Sequence, residues 1–119
     1  MNPQAMLEYL LNGRFLKMKK KDNDLILWLQ EWYYQNCNGD WEHNQNVLIT
    51  TLDNPGWSVM INLEDTNLEE AHFNKVFIEN DSLDWIRCKI EEKKFLGYCG
   101  PHNLLDVLAI FKNFADSKI

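Results

Sequence analysis

The apolar residues of this chain change period twice, and that pattern narrows the possible folds more than any other feature. Leu25, Trp28, Leu29 and Trp32 recur at i, i+3, i+4 and i+7, which draws one stripe along a helix. From Val47 the period drops to two: Val47, Ile49 and Thr51 alternate with Leu48, Thr50 and Leu52, in a β-branched stretch suited to a strand. After Gly100-Pro101 the helical spacing returns at Leu104, Val107, Leu108, Phe111 and Ala115. A chain so patterned reads as helix, four to five antiparallel strands, helix. Two amphipathic helices bury their stripes together on one face of such a sheet, so the fold class is α+β.

Local signals place the joints. Asn23 or Asp24 is suited to cap the first helix, and Gly39 to end it or the loop that follows. Asn54-Pro55-Gly56-Trp57 carries Pro at i+1 and Gly at i+2, the signature of a type II turn. That turn joins the first strand to a second with Trp57, Val59, Ile61 and Leu63 on one face, as an antiparallel hairpin. A third strand is expected over roughly 70–79, with Phe73 and Phe77 opposed to Val76 and Ile78. A fourth over 83–90 sets Ile86, Cys88 and Ile90 against Trp85 and Arg87, and a short fifth holds Phe95 and Leu96. Glu91-Glu92-Lys93 and Lys94 read as a solvated edge. Asn103 is the cap expected for the last helix, with Asp106 at the capping-box position.

At 119 residues there is room for one hydrophobic core. Five tryptophans and 13% aromatics exclude a disordered chain, because disordered segments are poor in aromatic residues. One compositional break falls near residue 22. Residues 1–22 read as a basic N-terminal extension or a leader, with Met18 as an alternative start, and 23–119 as the single domain. The apolar residues near the N-terminus precede the basic cluster, the reverse of a secretory signal, and no apolar run has the roughly 20 residues of a membrane span. Cys37, Cys88 and Cys99 are an odd number without paired spacing, which suits a reducing compartment. The expected location is cytoplasmic, with no membrane partner.

The formal net charge is −6, and its distribution is uneven. Arg14, Lys17, Lys19, Lys20 and Lys21 crowd one stretch. From Asp22 to Asn74 there is no Lys or Arg, and that span holds Asp22, Asp24, Glu31, Asp40, Glu42, Asp53, Glu64, Asp65, Glu69 and Glu70. A negative field of this kind repels nucleic acid and steers basic partners. It is also what a merely soluble acidic surface looks like.

Chemistry-bearing residues concentrate in Cys37-Asn38-Gly39-Asp40-Trp41-Glu42-His43, between the first helix and the first strand. No basic neighbour is present to lower the thiol pKa, and the spacing matches no standard zinc pattern, so neither a catalytic nucleophile nor a metal ligand set is indicated. Cys88, Cys99 and His102 would join Cys37 only if folding brought them there. Two readings of the loop stay open. In one it is structural, with Asn38 and Asp40 bonding backbone amides and Trp41 packing on the core; in the other it is a recognition surface of Asp40, Trp41, Glu42 and His43. A second cluster, Thr51-Leu52-Asp53-Asn54-Pro55-Gly56-Trp57, reads first as turn chemistry, with Asp53 and Trp57 its candidate contacts. No phosphate-binding loop, Ser–His–Asp set or nucleic-acid motif occurs, so no cofactor is expected.

These two clusters, together with Trp28-Leu29-Gln30-Glu31-Trp32-Tyr33, Asp84-Trp85, Cys88, Gly100-Pro101 and Asn103-Leu104, resemble family 53 of the bacterial immunity proteins over about residues 24–114. The resemblance implies a protein of a polymorphic-toxin system that is not an enzyme and neutralises a cognate toxin domain by binding it. Many such toxins are nucleases with basic grooves, which an acidic partner could occlude. The alternative from another class is a small metal-dependent or Cys/His enzyme acting at the Cys37–His43 loop.

Overall fold

The computed structural model describes residues 20–118. Helix α1 (Lys20–Asn36) leads through a one-turn helix α2 (Trp41–Asn44) into five strands, β1 (Val47–Leu52), β2 (Gly56–Asn62), β3 (Val76–Asp81), β4 (Asp84–Glu91) and β5 (Lys94–Cys99), and helix α3 (Leu104–Asp116) closes the chain. The α+β class is as expected. Helix α1 is already under way at Lys20, so Asn23 and Asp24 lie within it and not at its N-cap. The division drawn at residue 22 falls inside this helix, and residues 1–19 lie outside the described residues.

The strands form one antiparallel sheet in the order β1-β2-β5-β4-β3. Strand β5 slots between β2 and β4, pairing Val59 with Gly97 and Ile61 with Phe95 on one side, and Ile90 with Phe95 on the other. Because β5 occupies the place beside β2, the chain leaving β2 must cross to the far edge before β3 begins. That crossing explains why the third strand starts at Val76 and not near residue 70. Its residues serve the core: Leu63 and Leu68 are fully buried, and Phe73 packs edge-on against Phe95 and Phe114 at 5.6 and 5.1 Å.

The long helices α1 and α3 share one core with the sheet, on one of its faces. Leu25, Leu29 and Trp32 of α1 are buried, as are Val107, Leu108, Phe111, Phe114 and Ala115 of α3. Leu104 is only half-buried, and Phe114 joins the predicted stripe one turn on from Phe111. Phe111 is the hub, with ring centroids 5.0 Å from Phe95, 5.1 Å from Trp32 and 5.8 Å from Trp28. Burying one such side chain contributes about 1.5–3 kcal/mol. Gly97 lets α3 approach this closely, since a Cβ there would meet Val107 Cγ1 at 2.5 Å.

Two turns differ from expectation. Leu52 pairs with Gly56, so the first hairpin closes over Asp53-Asn54-Pro55 with a cis Asn54–Pro55 bond, and Gly56 belongs to β2 and not to a type II turn. What requires glycine at 56 is close approach: a Cβ would collide with the Cys99 carbonyl oxygen. Glu92 and Lys93, expected on a solvated edge, form a two-residue hairpin loop between paired Glu91 and Lys94, both with positive φ (52° and 62°), the geometry of a type I′ turn.

Candidate functional site

The 37–43 loop is built by reciprocal capping. Asn38 Oδ1 accepts from the backbone N–H groups of Asp40 and Trp41, both at 2.9 Å. The Glu42 carboxylate reaches back to accept from Asn38 N–H at 2.9 Å and Gly39 N–H at 2.9 Å. Gly39 sits at φ +91°, where a side chain would be strained. Hydrogen bonds from its own backbone amide first, then from those of Asn38 and Gly39, hold the Glu42 carboxyl below the ordinary carboxylate range despite some desolvation.

Trp41 anchors this loop. It is 3% exposed, its indole N–H donates to the Glu64 carbonyl at 2.9 Å, and its ring lies 6.1 Å from Trp32 and 5.9 Å from Tyr33. Asp40 and His43 are exposed, and Glu42 is half-buried. Thus the structural reading of the loop accounts for Trp41 and most of Glu42, and Asp40 and His43 are the side chains presented outward.

The second cluster lies elsewhere. Asp53 is exposed at the tip of the first hairpin, while Trp57 is half-buried with its indole N–H donating to the Pro101 carbonyl at 3.1 Å. Trp41 is tied to Glu64, beyond the C-terminal end of β2, whereas Trp57 is the second residue of that strand. The two clusters therefore sit at opposite ends of the sheet, separated by strands of six and seven residues, about 20 Å at 3.3 Å per residue.

Cys37 does not join the other two thiols, which lie buried on the adjacent strands β4 and β5. Cys99 pairs with Trp57 at one end, and Cys37 donates to the Tyr33 carbonyl at 3.4 Å beside Trp41 at the other. Burial pushes the Cys88 thiol up to about 12 and the Cys99 thiol up to about 11, so both are protonated and poor nucleophiles near neutrality. Among the described residues no group of three or more His, Cys, Asp or Glu could hold a metal ion. No helix among them is long and apolar enough to cross a membrane.

The feature the sequence reading missed is the sheet face away from the helices. Strand register lines up Leu48, Met60, Leu96 and Lys89 in one row, and Thr50, Ser58, Tyr98, Arg87 and Phe77 in the next. No helix of the described chain covers them. Leu48 is 48% exposed and Phe77 65%, and the Arg87 guanidinium lies 5.0 Å from the Phe77 ring and 5.6 Å from that of Trp85. The signal was present in the sequence: Met60, Leu96 and Tyr98 are apolar or aromatic at positions where a one-sided sheet would be polar.

Among the described residues, the domain is an α+β fold with a capped loop, protonated core thiols and a partly apolar sheet face that no described helix covers. The immunity protein 53 family model matches residues 26–116, and the chain belongs to that family. Membership carries an immunity role. No curated protein and no solved structure matches the chain with significance.

Proposed function

We propose that this chain binds and neutralises a cognate toxin domain of a polymorphic-toxin system by stoichiometric protein–protein inhibition, without catalysis and in the cytoplasm. The observation that carries this reading is the family match over residues 26–116. The Lys/Arg-free span from Asp22 to Asn74 supports it, because an acidic inhibitor is suited to a toxin with a basic nucleic-acid groove. Asp40, Glu42 and His43 on their loop, held in place by Trp41, and Asp53 with Trp57 at the other end of the sheet are the first contact candidates.

Co-expression with the toxin domain encoded beside its gene tests the proposal, scored by cell survival and co-purification. Rescue with a stable complex is the expected result. Rescue without a complex would favour an enzyme acting on the toxin's product or target. Failure of both, with active toxin and folded inhibitor, would overturn the reading. Asp40→Lys is the substitution that probes the loop, since Glu42 also holds the loop's backbone. It should slow association, most strongly at low salt.

A further inference from the structure

We propose that the toxin domain docks across the sheet face that no described helix covers and places an acidic segment in the groove centred on Arg87. This rests on the proposed function and names the surface that performs it. The groove, about 330 Å³, is lined by Lys75, Phe77, Arg87, Lys89 and Tyr98 together with Val76 and Cys88. Three cations and two aromatic rings meet there with no carboxylate in the lining, inside a chain of net charge −6. Charge complementarity therefore selects an acidic segment as occupant, and arginine framed by aromatic rings is a favoured interface anchor.

The free protein keeps these cations soluble and exchangeable. Arg87 is paired with Glu79 at 3.4 Å and Lys89 with Glu91 at 2.7 Å, and all four side chains are close to half-exposed or more. Exposed pairs of this kind contribute little, so an incoming carboxylate displaces them at small cost. Desolvation beneath a partner would then strengthen the new pairs.

Size points the same way. Five strands about 4.8 Å apart and about 20 Å long present on the order of 400 Å², half the roughly 800 Å² each partner contributes to a standard interface. The rims supply the remainder. Asn54 adjoins Trp85 and Arg87 at one end, and Asn44, Gln45 and Asn46 adjoin Met60 at the other. Each rim continues into one of the acidic clusters, so a single partner spanning the face reaches both.

The test is calorimetric titration of the purified adjacent-gene toxin domain into the wild-type chain, Arg87→Glu/Lys89→Glu and Phe77→Ala, with circular dichroism to verify folding. The expected result is a Kd raised roughly a hundredfold by the charge reversal and about tenfold by Phe77→Ala. Wild-type affinity in both folded variants would overturn the inference and leave the proposed function standing. A wild-type dimer that the charge reversal splits, with toxin affinity unchanged, would assign the face to a second copy and overturn it as well. Absence of wild-type binding would overturn the functional reading and this inference together.

Discussion

The indole N–H of Trp41 donates to the backbone carbonyl of Glu64 across 2.9 Å, joining two segments 23 residues apart. Through that bond the 37–43 loop is fixed to the end of β2. Trp41→Phe keeps an aromatic ring but leaves the Glu64 carbonyl without its donor, and should destabilise by about 1–2 kcal/mol. Trp41→Ala also opens a cavity against Trp32 and should cost about 3–5 kcal/mol. Urea titration measures both. Toxin affinity per folded molecule should stay unchanged in Trp41→Phe.

Glu42 and Asp84 confer acid sensitivity. Both carboxyls are held below the ordinary range, Glu42 by backbone N–H groups and Asp84 by the Asn80 and Asn103 side-chain amides. A depressed folded pKa makes a contribution that is present above the unfolded value and lost as pH falls through the folded one. Stability should therefore fall from about pH 4.5 downward. Urea midpoints at pH 6 and pH 3 should differ less in Glu42→Gln/Asp84→Asn than in the wild type; an unaltered difference would remove these two groups from the account.

Gly97→Ala should destabilise by about 1–3 kcal/mol, because the new methyl meets Val107 Cγ1 at 2.5 Å and pushes α3 off the sheet. Val107→Ala should recover part of that loss when combined with it, although alone it leaves a cavity. A double-mutant cycle by thermal denaturation measures the coupling.

Lys93→Gly should stabilise by about 1 kcal/mol. Lys93 holds φ at 62°, a conformation glycine adopts without penalty. The substitution removes the Lys93–Glu69 ion pair at 3.1 Å, but the lysine is half-exposed and such pairs are worth little. A melting temperature below the wild-type value would mean that the ion pair outweighs the backbone strain.

Much of the fold was legible in the residues. The stripes Leu25–Leu29–Trp32 and Val107–Leu108–Phe111, the Val47–Leu52 hairpin strand and the inward face of β2 follow from spacing alone. Phe73 misled because an aromatic beside His72 and Asn74 alternates like a strand, yet it fills the core from a crossing segment. Of the candidate site, residue types were readable; the form of the 53–55 turn, the choice between a buried and a presented Trp41 and the distance between the two clusters were not. Pairing partners 16 to 44 residues away decide those, as in the bonds of Asn62 to Asn46 and Trp57 to Pro101.

By itself, then, the sequence determined the order of the two long helices and the strands between them and the faces they bury, because each is written in residues a few positions apart. The tertiary structure alone decided that β5 enters between β2 and β4, that Cys37 and Cys99 lie at opposite ends, and that Arg87, Phe77 and Tyr98 meet on a face that no described helix covers. Those outcomes depend on which strand edges pair and which apolar surfaces share one core, a balance of non-local contacts that no single window of the chain contains.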